Sequence, residues 1–126
     1  FCPGGSDAGE GEEEARSYIG TCLGRVRVHY EVLGDHFAVT EGYDAYAKAA
    51  EVLKRVGESG FLDMFMTATA WGTPDQIIAN LEERRELIGP FEYTTAFRYG
   101  GIPYEEATAS MHLFASEVLP VIQEWD

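Results

Sequence analysis

The sequence predicts an α/β fold with two to three parallel strands and four or more helices. Residues 64–70 (MFMTATA) and 91–97 (FEYTTAF) have the length of strands, and each precedes a short loop and a segment with apolar side chains at helical spacing. This alternation requires parallel strands joined by a right-handed crossover. Neither run alternates cleanly between polar and apolar residues, as is typical of strands covered on both faces. Because so few strands cannot complete a sheet or a barrel, we expect a piece of a larger α/β domain.

The first half of the chain, residues 1–60, is predicted to be mainly helical. Residues 1–5 indicate the end of a strand that enters a glycine-rich loop, and Ser6 and Asp7 can cap the helix that follows. Apolar side chains then recur at helical spacing to about Leu33.

A loop and a second helix complete this half. The loop is predicted over residues 35–42 and carries His36 and Phe37. The second helix is predicted over residues 43–56, and we expect it to end at Gly57, because glycine is a common helix terminator.

The second half, residues 61–126, is predicted to form two βα units. Thr73 is suited to cap a helix, Pro74 to occupy its first position and Gln76 to complete a capping box. Gly89 is expected to end this helix. Its predicted buried stripe consists of Ile77, Ile78, Leu81, the stem of Arg84 and Ile88.

The closing helix is predicted to begin near Tyr104. Pro120 is expected to kink or break it, since proline lacks the amide hydrogen that a helix needs. Its predicted buried side consists of Ala107, Met111, Phe114, Val118 and Ile122.

Length and charge restrict the function. The 126 residues correspond to one domain, and their net charge of −13 disfavours binding to nucleic acid or to an anionic membrane surface. No apolar run is long enough to span a bilayer. Two cysteines, Cys2 and Cys22, and three scattered histidines predict neither a disulfide framework nor a metal site. We therefore expect a cytoplasmic protein with reduced thiols.

Three segments of the second half resemble a known family. Residues 71–78 (WGTPDQII), 97–107 (FRYGGIPYEEA) and 110–120 (SMHLFASEVLP) are similar, in this order and spacing, to the C-terminal region of luciferase-like flavin-dependent monooxygenases. No single segment is diagnostic; the first, for example, has the pattern of any well-capped helix. Together they identify the chain as resembling the C-terminal part of that family.

The resemblance implies a fold and an activity. The family has a (β/α)8, or TIM, barrel, of which residues 1–126 would form one C-terminal segment. Its members use reduced flavin mononucleotide (FMN) and dioxygen, or in sister groups a deazaflavin, to oxidise small organic substrates. The parent protein would then be an oxidoreductase, whereas this segment would be inactive alone and would bind no flavin tightly.

The same resemblance implies candidate site residues, because active sites of such barrels lie where strands end. Arg98 and Tyr99 are the candidate catalytic residues, the first as a cation for an anionic group and the second as a hydrogen-bond donor. Trp71, Gly72 and Thr73 are the candidate cofactor-binding residues, through ring stacking and the free amides of a helix N-terminus. Each also has a structural alternative: an ion pair for Arg98, a rim position for Tyr99, packing for Trp71 and helix capping for Thr73.

Two other functions are compatible with the sequence. One is a non-catalytic acidic α/β module that forms a homodimer through exposed strand edges and apolar helix faces. The other is a small intact α/β enzyme with a site of its own. His29 and His36, which flank a loop, could reach a site as acid or base, although structural roles are commoner.

Overall fold

The computed structural model describes residues 8–125, and every regular element among them is a helix. In chain order these are α1 (Ala8–His29), α2 (His36–Val39), α3 (Asp44–Ala68), α4 (Pro74–Ile88), α5 (Tyr104–Leu113), a π-helix (Phe114–Val118) and α6 (Leu119–Gln123). The predicted α/β fold is therefore wrong, and so is the expected segment of a TIM barrel, because residues 8–125 contain no strand and no sheet. The strand end expected at residues 1–5, the cap at residues 6 and 7, and Cys2 lie outside the described residues.

Most of the first predicted strand, residues 64–70, is instead helical: residues 64–68 are the end of α3, and Thr69 is its C-cap. The expected break at Gly57 is a local kink with φ 74° and ψ 177°, after which the helix resumes. Leu62 and Met66 stand four residues apart, so that both reach the same helix face and pack on α1. Residues 64–70 carry no valine or isoleucine, and a helix satisfies their backbone groups without a partner strand.

The second predicted strand, residues 91–97, has no regular secondary structure. Within the described chain, no backbone hydrogen bond joins residues 92–96 to another segment. The β-branched and aromatic composition disfavours a helix, but a strand also requires a neighbouring strand, and none lies beside this segment in the range that the structure describes. It connects α4 to α5 as an irregular link.

The start of α4 confirms the predicted capping box. The Thr73 hydroxyl accepts a hydrogen bond from the Gln76 amide at 3.4 Å, and the Gln76 side chain accepts one from the Thr73 amide at 2.9 Å. Gly89 follows the last residue of the helix, as predicted. The predicted buried stripe is partly right, since Ile77 and Leu81 are each 1% exposed whereas Ile88 is 71% exposed.

The buried side chains form two clusters. The first joins α4 to the closing helices, and its buried members are Ala70, Ile77, Leu81, Phe114 and Val118. The second joins α1 to the end of α3, and its buried members are Ala15, Ile19 and Met66. The link between α3 and α4 and the loop before α5 contact this second cluster through Trp71 and Tyr99.

The closing helix begins at Tyr104, as predicted, but it does not break at Pro120. A π-helical turn precedes the proline, and the Leu119 amide donates to the Phe114 carbonyl five residues earlier. Ala107, Phe114 and Val118 are buried, as predicted, while Met111 is 47% exposed. The wider turn carries the helix past a residue that has no amide hydrogen.

Candidate functional site

A cavity of about 300 Å³ lies between α1, α3, α4 and the irregular link before α5. Its wall is mostly apolar, with a few hydroxyl groups and one thiol. The lining residues are Ile19, Cys22, Phe65, Thr69, Ala70, Ile77, Tyr93, Thr94, Thr95, Ala96, Tyr99 and Phe114. This volume is at the lower end of the range for small-molecule sites in proteins. We refer to it as the apolar cavity.

Helical spacing explains two walls of the apolar cavity. Ile19 and Cys22 are three residues apart on α1, and Phe65 and Thr69 are four residues apart at the end of α3. Each pair therefore projects from a single face. The third wall has another origin: residues 93–96 line the cavity in sequence because the link runs across its mouth.

Among the residues that line the apolar cavity, Tyr93 has a shifted pKa. Desolvation raises the pKa of its phenol, and the nearby positive charge of Arg84 offsets part of this increase. The phenol therefore keeps its proton at neutral pH and can donate a hydrogen bond to a bound molecule. About a third of the residue is exposed, which places it at the rim.

Of the two candidate catalytic residues, Tyr99 lines the apolar cavity and Arg98 does not. The Tyr99 hydroxyl oxygen is shielded from solvent. The Arg98 side chain is exposed and its guanidinium carbon lies 3.8 Å from the ring centroid of Tyr104, in a cation–π contact. Of these two neighbouring residues, Tyr99 is thus part of the cavity wall and Arg98 lies on the surface.

A tight turn fixes these two orientations. The Ile102 amide donates to the Tyr99 carbonyl at 3.0 Å, and between them Gly100 and Gly101 have φ values of 59° and 94°. Two consecutive positive φ angles characterise a type I′ turn, which strongly favours glycine. The glycine pair therefore holds the Tyr99 ring against the cavity while the chain reverses towards α5.

The candidate cofactor-binding residues lie beside the apolar cavity and do not line it. The Trp71 indole donates to the Met66 carbonyl at 2.8 Å and packs against the cluster of α1 and α3. Gly72 is buried with φ 110°, and a Cβ there would overlap the side-chain oxygen of Gln76. Both residues thus serve the junction between α3 and α4.

Thr73 stands at a helix N-terminus whose hydrogen-bond donors are largely used. Its own amide donates to Gln76, the Gln76 amide donates back, and Pro74 has no amide hydrogen. Asp75 adds a negative charge in the same turn. An anion would have to displace the Gln76 side chain and approach a carboxylate, so these residues do not fit a phosphate group.

Sequence reasoning missed Cys22, Phe65 and Thr69 as cavity residues. They lie on helices whose contact depends on how α1 packs against α3, and local spacing does not reveal such a contact. Their common signal was apolar periodicity, which is shared with ordinary core positions. Cys22 is half-buried and is a free thiol.

Comparisons of the chain with protein-family models, with curated proteins and with solved structures find no match. No helix within residues 8–125 combines the length and apolar character needed to cross a membrane. In the same part of the chain, no three or more His, Cys, Asp and Glu side chains are grouped so that they could hold a metal ion.

Proposed function

We propose that this chain is part of a luciferase-like flavin-dependent oxidoreductase, and that its apolar cavity receives the small organic substrate. One observation carries this proposal. Two of the segments that resemble the family, residues 71–78 and 97–107, each place a side chain in the cavity wall, Ile77 and Tyr99. The third, residues 110–120, contributes Phe114 to the same wall.

The chemistry of the wall suggests the kind of substrate. Ile19, Phe65 and Phe114 offer apolar surface, which favours a hydrocarbon or aromatic body. Tyr93 can orient a carbonyl or hydroxyl group by a hydrogen bond at one side. The substrate proposed is therefore a mainly apolar molecule with one polar end.

The candidate cofactor-binding residues and Arg98 do not fit the phosphate group of FMN or of a deazaflavin. The amides at the start of α4 are used by the capping box, and Arg98 stacks on Tyr104. We therefore propose that the flavin is held mainly by residues other than these. The isolated chain is expected to bind neither flavin tightly.

The direct test measures oxygen uptake by the natural protein that carries this chain, with reduced FMN or reduced deazaflavin and a series of small apolar substrates. Substrate-dependent formation of a hydroxylated or otherwise oxidised product with one of the two flavins is the expected result. If neither reduced flavin supports it, the proposed activity is wrong.

A variant pair tests the cavity itself. Thr94→Trp would fill the apolar cavity from its rim, whereas Thr108→Trp places the same ring at an exposed position of α5. We expect Thr94→Trp to raise the KM for the substrate at least about ten-fold, because a filled pocket excludes the ligand. Equal KM values for the two variants would show that the substrate binds elsewhere.

A second candidate function is self-association, and a separate observation favours it. The backbone groups of residues 92–96 have no backbone partner among residues 8–125, and Leu87 and Ile88 just before them are 76% and 71% exposed. Backbone groups without partners beside exposed apolar surface favour pairing with a second copy. We propose that two copies pair through this segment in a homodimer.

Light scattering during gel filtration tests this pairing. The charge of −13 on each copy opposes association, so the dimer fraction should rise with salt concentration. Thr94→Pro removes one backbone donor and should favour the monomer, while Thr94→Ala keeps that donor and should not. A monomeric mass for the unmodified chain at all salt concentrations would exclude the homodimer.

A further inference from the structure

A second cleft, of about 550 Å³, lies where α2 packs between the end of α1 and the start of α3. It is separate from the apolar cavity and shares none of its lining residues. Its wall consists of His29, Tyr30, Glu31, His36, Phe37, Thr40, Tyr43 and Tyr46. Aromatic rings therefore dominate this wall, and we refer to it as the aromatic cleft.

Three of the rings form a compact group. The Phe37 ring centroid lies 5.8 Å from that of Tyr43 and 5.3 Å from that of Tyr46, with interplanar angles of 20° in both cases. Phe37 is buried, whereas Tyr43 and Tyr46 are 44% and 55% exposed. Tyr30, across the cleft wall, is 61% exposed. The tyrosines thus keep ring surface available to a molecule in the cleft.

The charges of the aromatic cleft favour a cation. Glu31 is in its wall, and no lysine or arginine is. Arg27, in the last turn of α1, is engaged in an ion pair with Glu58 on α3. The net charge of −13 adds a negative field around the whole chain.

The backbone at Glu31 is a further distinctive feature. Among residues 8–125 it is the non-glycine residue with a positive φ, at 46°. A glutamate seldom adopts this left-handed conformation. The conformation ends α1 in a Schellman motif, in which the Glu31 amide donates to the Val28 carbonyl and the Val32 amide donates to the Arg27 carbonyl. It places the one carboxylate residue of the cleft directly after the helix.

We propose that the aromatic cleft binds a small organic cation, a quaternary or methylated ammonium ion, against the tyrosine rings and near the Glu31 carboxylate. The face of an aromatic ring carries negative potential and attracts a cation within about 6 Å of its centroid. A methylated ammonium ion also has an apolar surface that packs on such rings.

The experiment compares two probes of the same shape by isothermal titration calorimetry of the full chain. Choline carries the positive charge, and 3,3-dimethylbutan-1-ol is its neutral analogue. In mildly alkaline buffer, which keeps imidazoles neutral, choline should bind at least about ten-fold more tightly than the alcohol. Equal affinities would show that the cleft selects only apolar shape, and the absence of choline binding would reject the site.

Variants assign the contact to particular groups. Tyr46→Leu removes a ring and should weaken choline binding at least about five-fold, whereas Tyr46→Phe keeps the ring and should change it by less than about two-fold. Glu31→Gln should weaken choline binding without changing the affinity for the neutral alcohol. Tyr93→Leu, in the apolar cavity, is the matched control and should leave choline binding unchanged.

Two further outcomes would contradict the proposal. If Tyr46→Phe weakens binding as much as Tyr46→Leu, the phenol hydroxyl and not the ring face holds the probe. If Tyr93→Leu weakens binding like Tyr46→Leu, the probe occupies the apolar cavity. Circular dichroism of each variant shows whether it is folded, and Glu31→Gln, at an exposed side chain, tests the cleft if Tyr46→Leu is unstable. The result is independent of the proposed oxidoreductase activity.

Discussion

The phenol of Tyr18 on α1 donates a hydrogen bond of 2.9 Å to a carboxylate oxygen of Glu106 on α5. The two residues are 88 positions apart, so this bond connects the first and the last third of the chain. Around it lie Gly100, which contacts the Tyr18 backbone, and Glu14, whose charge interacts with Glu106. The contact of α1 with the C-terminal helices thus depends on a small group of polar and glycine residues.

Tyr18→Phe should lower the free energy of unfolding by about 1 kcal/mol, because it removes one half-buried hydrogen bond to a charged acceptor. Urea unfolding followed by circular dichroism measures this change. Tyr104→Phe, which removes a hydroxyl from an exposed residue, is the control and should have almost no effect. Equal losses for the two variants would mean that the bond to Glu106 contributes no stability.

Gly100→Ala should destabilise the fold by roughly 2 kcal/mol or more, because a Cβ would overlap the Tyr18 carbonyl and φ is 59°. Gly101→Ala is the matched control: its φ is 94°, but nothing lies within 4 Å of the added carbon. It should therefore cost only the strain of the positive φ, about 1 kcal/mol. Thermal unfolding distinguishes the two variants, and a larger loss for Gly101→Ala would contradict the close approach.

The raised pKa of Glu14 predicts that its contribution to stability depends on pH. Desolvation, and then the charge of Glu106, raise the pKa of Glu14, so the folded chain binds this proton more tightly than the unfolded chain does. The stabilisation is complete in acid and is lost as the pH rises through the raised pKa. Glu14→Gln should therefore be more stable than the natural chain at neutral pH, by less than about 1 kcal/mol.

This advantage of Glu14→Gln should vanish on acidification below about pH 4, where the natural carboxyl is protonated in both states. Urea midpoints over a pH series measure the difference. Glu13→Gln, one residue earlier and exposed, should show no comparable gain. An advantage that grows towards acid pH would have the wrong sign and would contradict the raised pKa.

Thr73→Ala should lower the free energy of unfolding by about 1 kcal/mol, because the N-cap of α4 loses its acceptor. Thr67→Ala offers a control of the same composition: its hydroxyl donates within α3 to the Asp63 carbonyl, a bond that a helix does not need. Alanine there should be neutral or slightly stabilising. Chemical unfolding of both variants measures the two changes in the free energy of unfolding. Equal losses would contradict the stabilising role of the Thr73 cap.

How far the sequence predicts this structure depends on how local each determinant is. The start of α4 was predictable because Thr73 and Gln76 act on each other within one turn. The end of α3 was predictable only in part, since Gly57 has the non-helical backbone of the predicted break, but a second helical stretch follows it directly and runs to Ala68. Residues 91–97 illustrate a third case: an extended preference is visible in the sequence, whereas pairing depends on a partner strand.

The residues of the candidate site also differ in whether local sequence or long-range packing determines their position. Tyr99 lines the apolar cavity, and the glycines beside it explain its orientation. Cys22 and Phe65 reach the cavity only through packing of α1 on α3, which no local pattern encodes. The aromatic cleft was not predicted: the loop expected over residues 35–42 contains α2, and the assembly of Phe37 with Tyr43 and Tyr46 required the fold.

The π-helical turn at Phe114–Val118 has a consequence for changes in chain length. Such a turn contains one more residue than an α-helical turn, so it is a place where a helix can lose a residue and remain a helix. A single deletion there would turn the bond from the Leu119 amide to the Phe114 carbonyl into an ordinary bond of an α-helix, so the later side chains would keep their faces. Ile122 and Trp125 would therefore stay on the cluster on which they now pack. The same deletion in one of the regular α-helices would rotate every later side chain by roughly 100° around the axis.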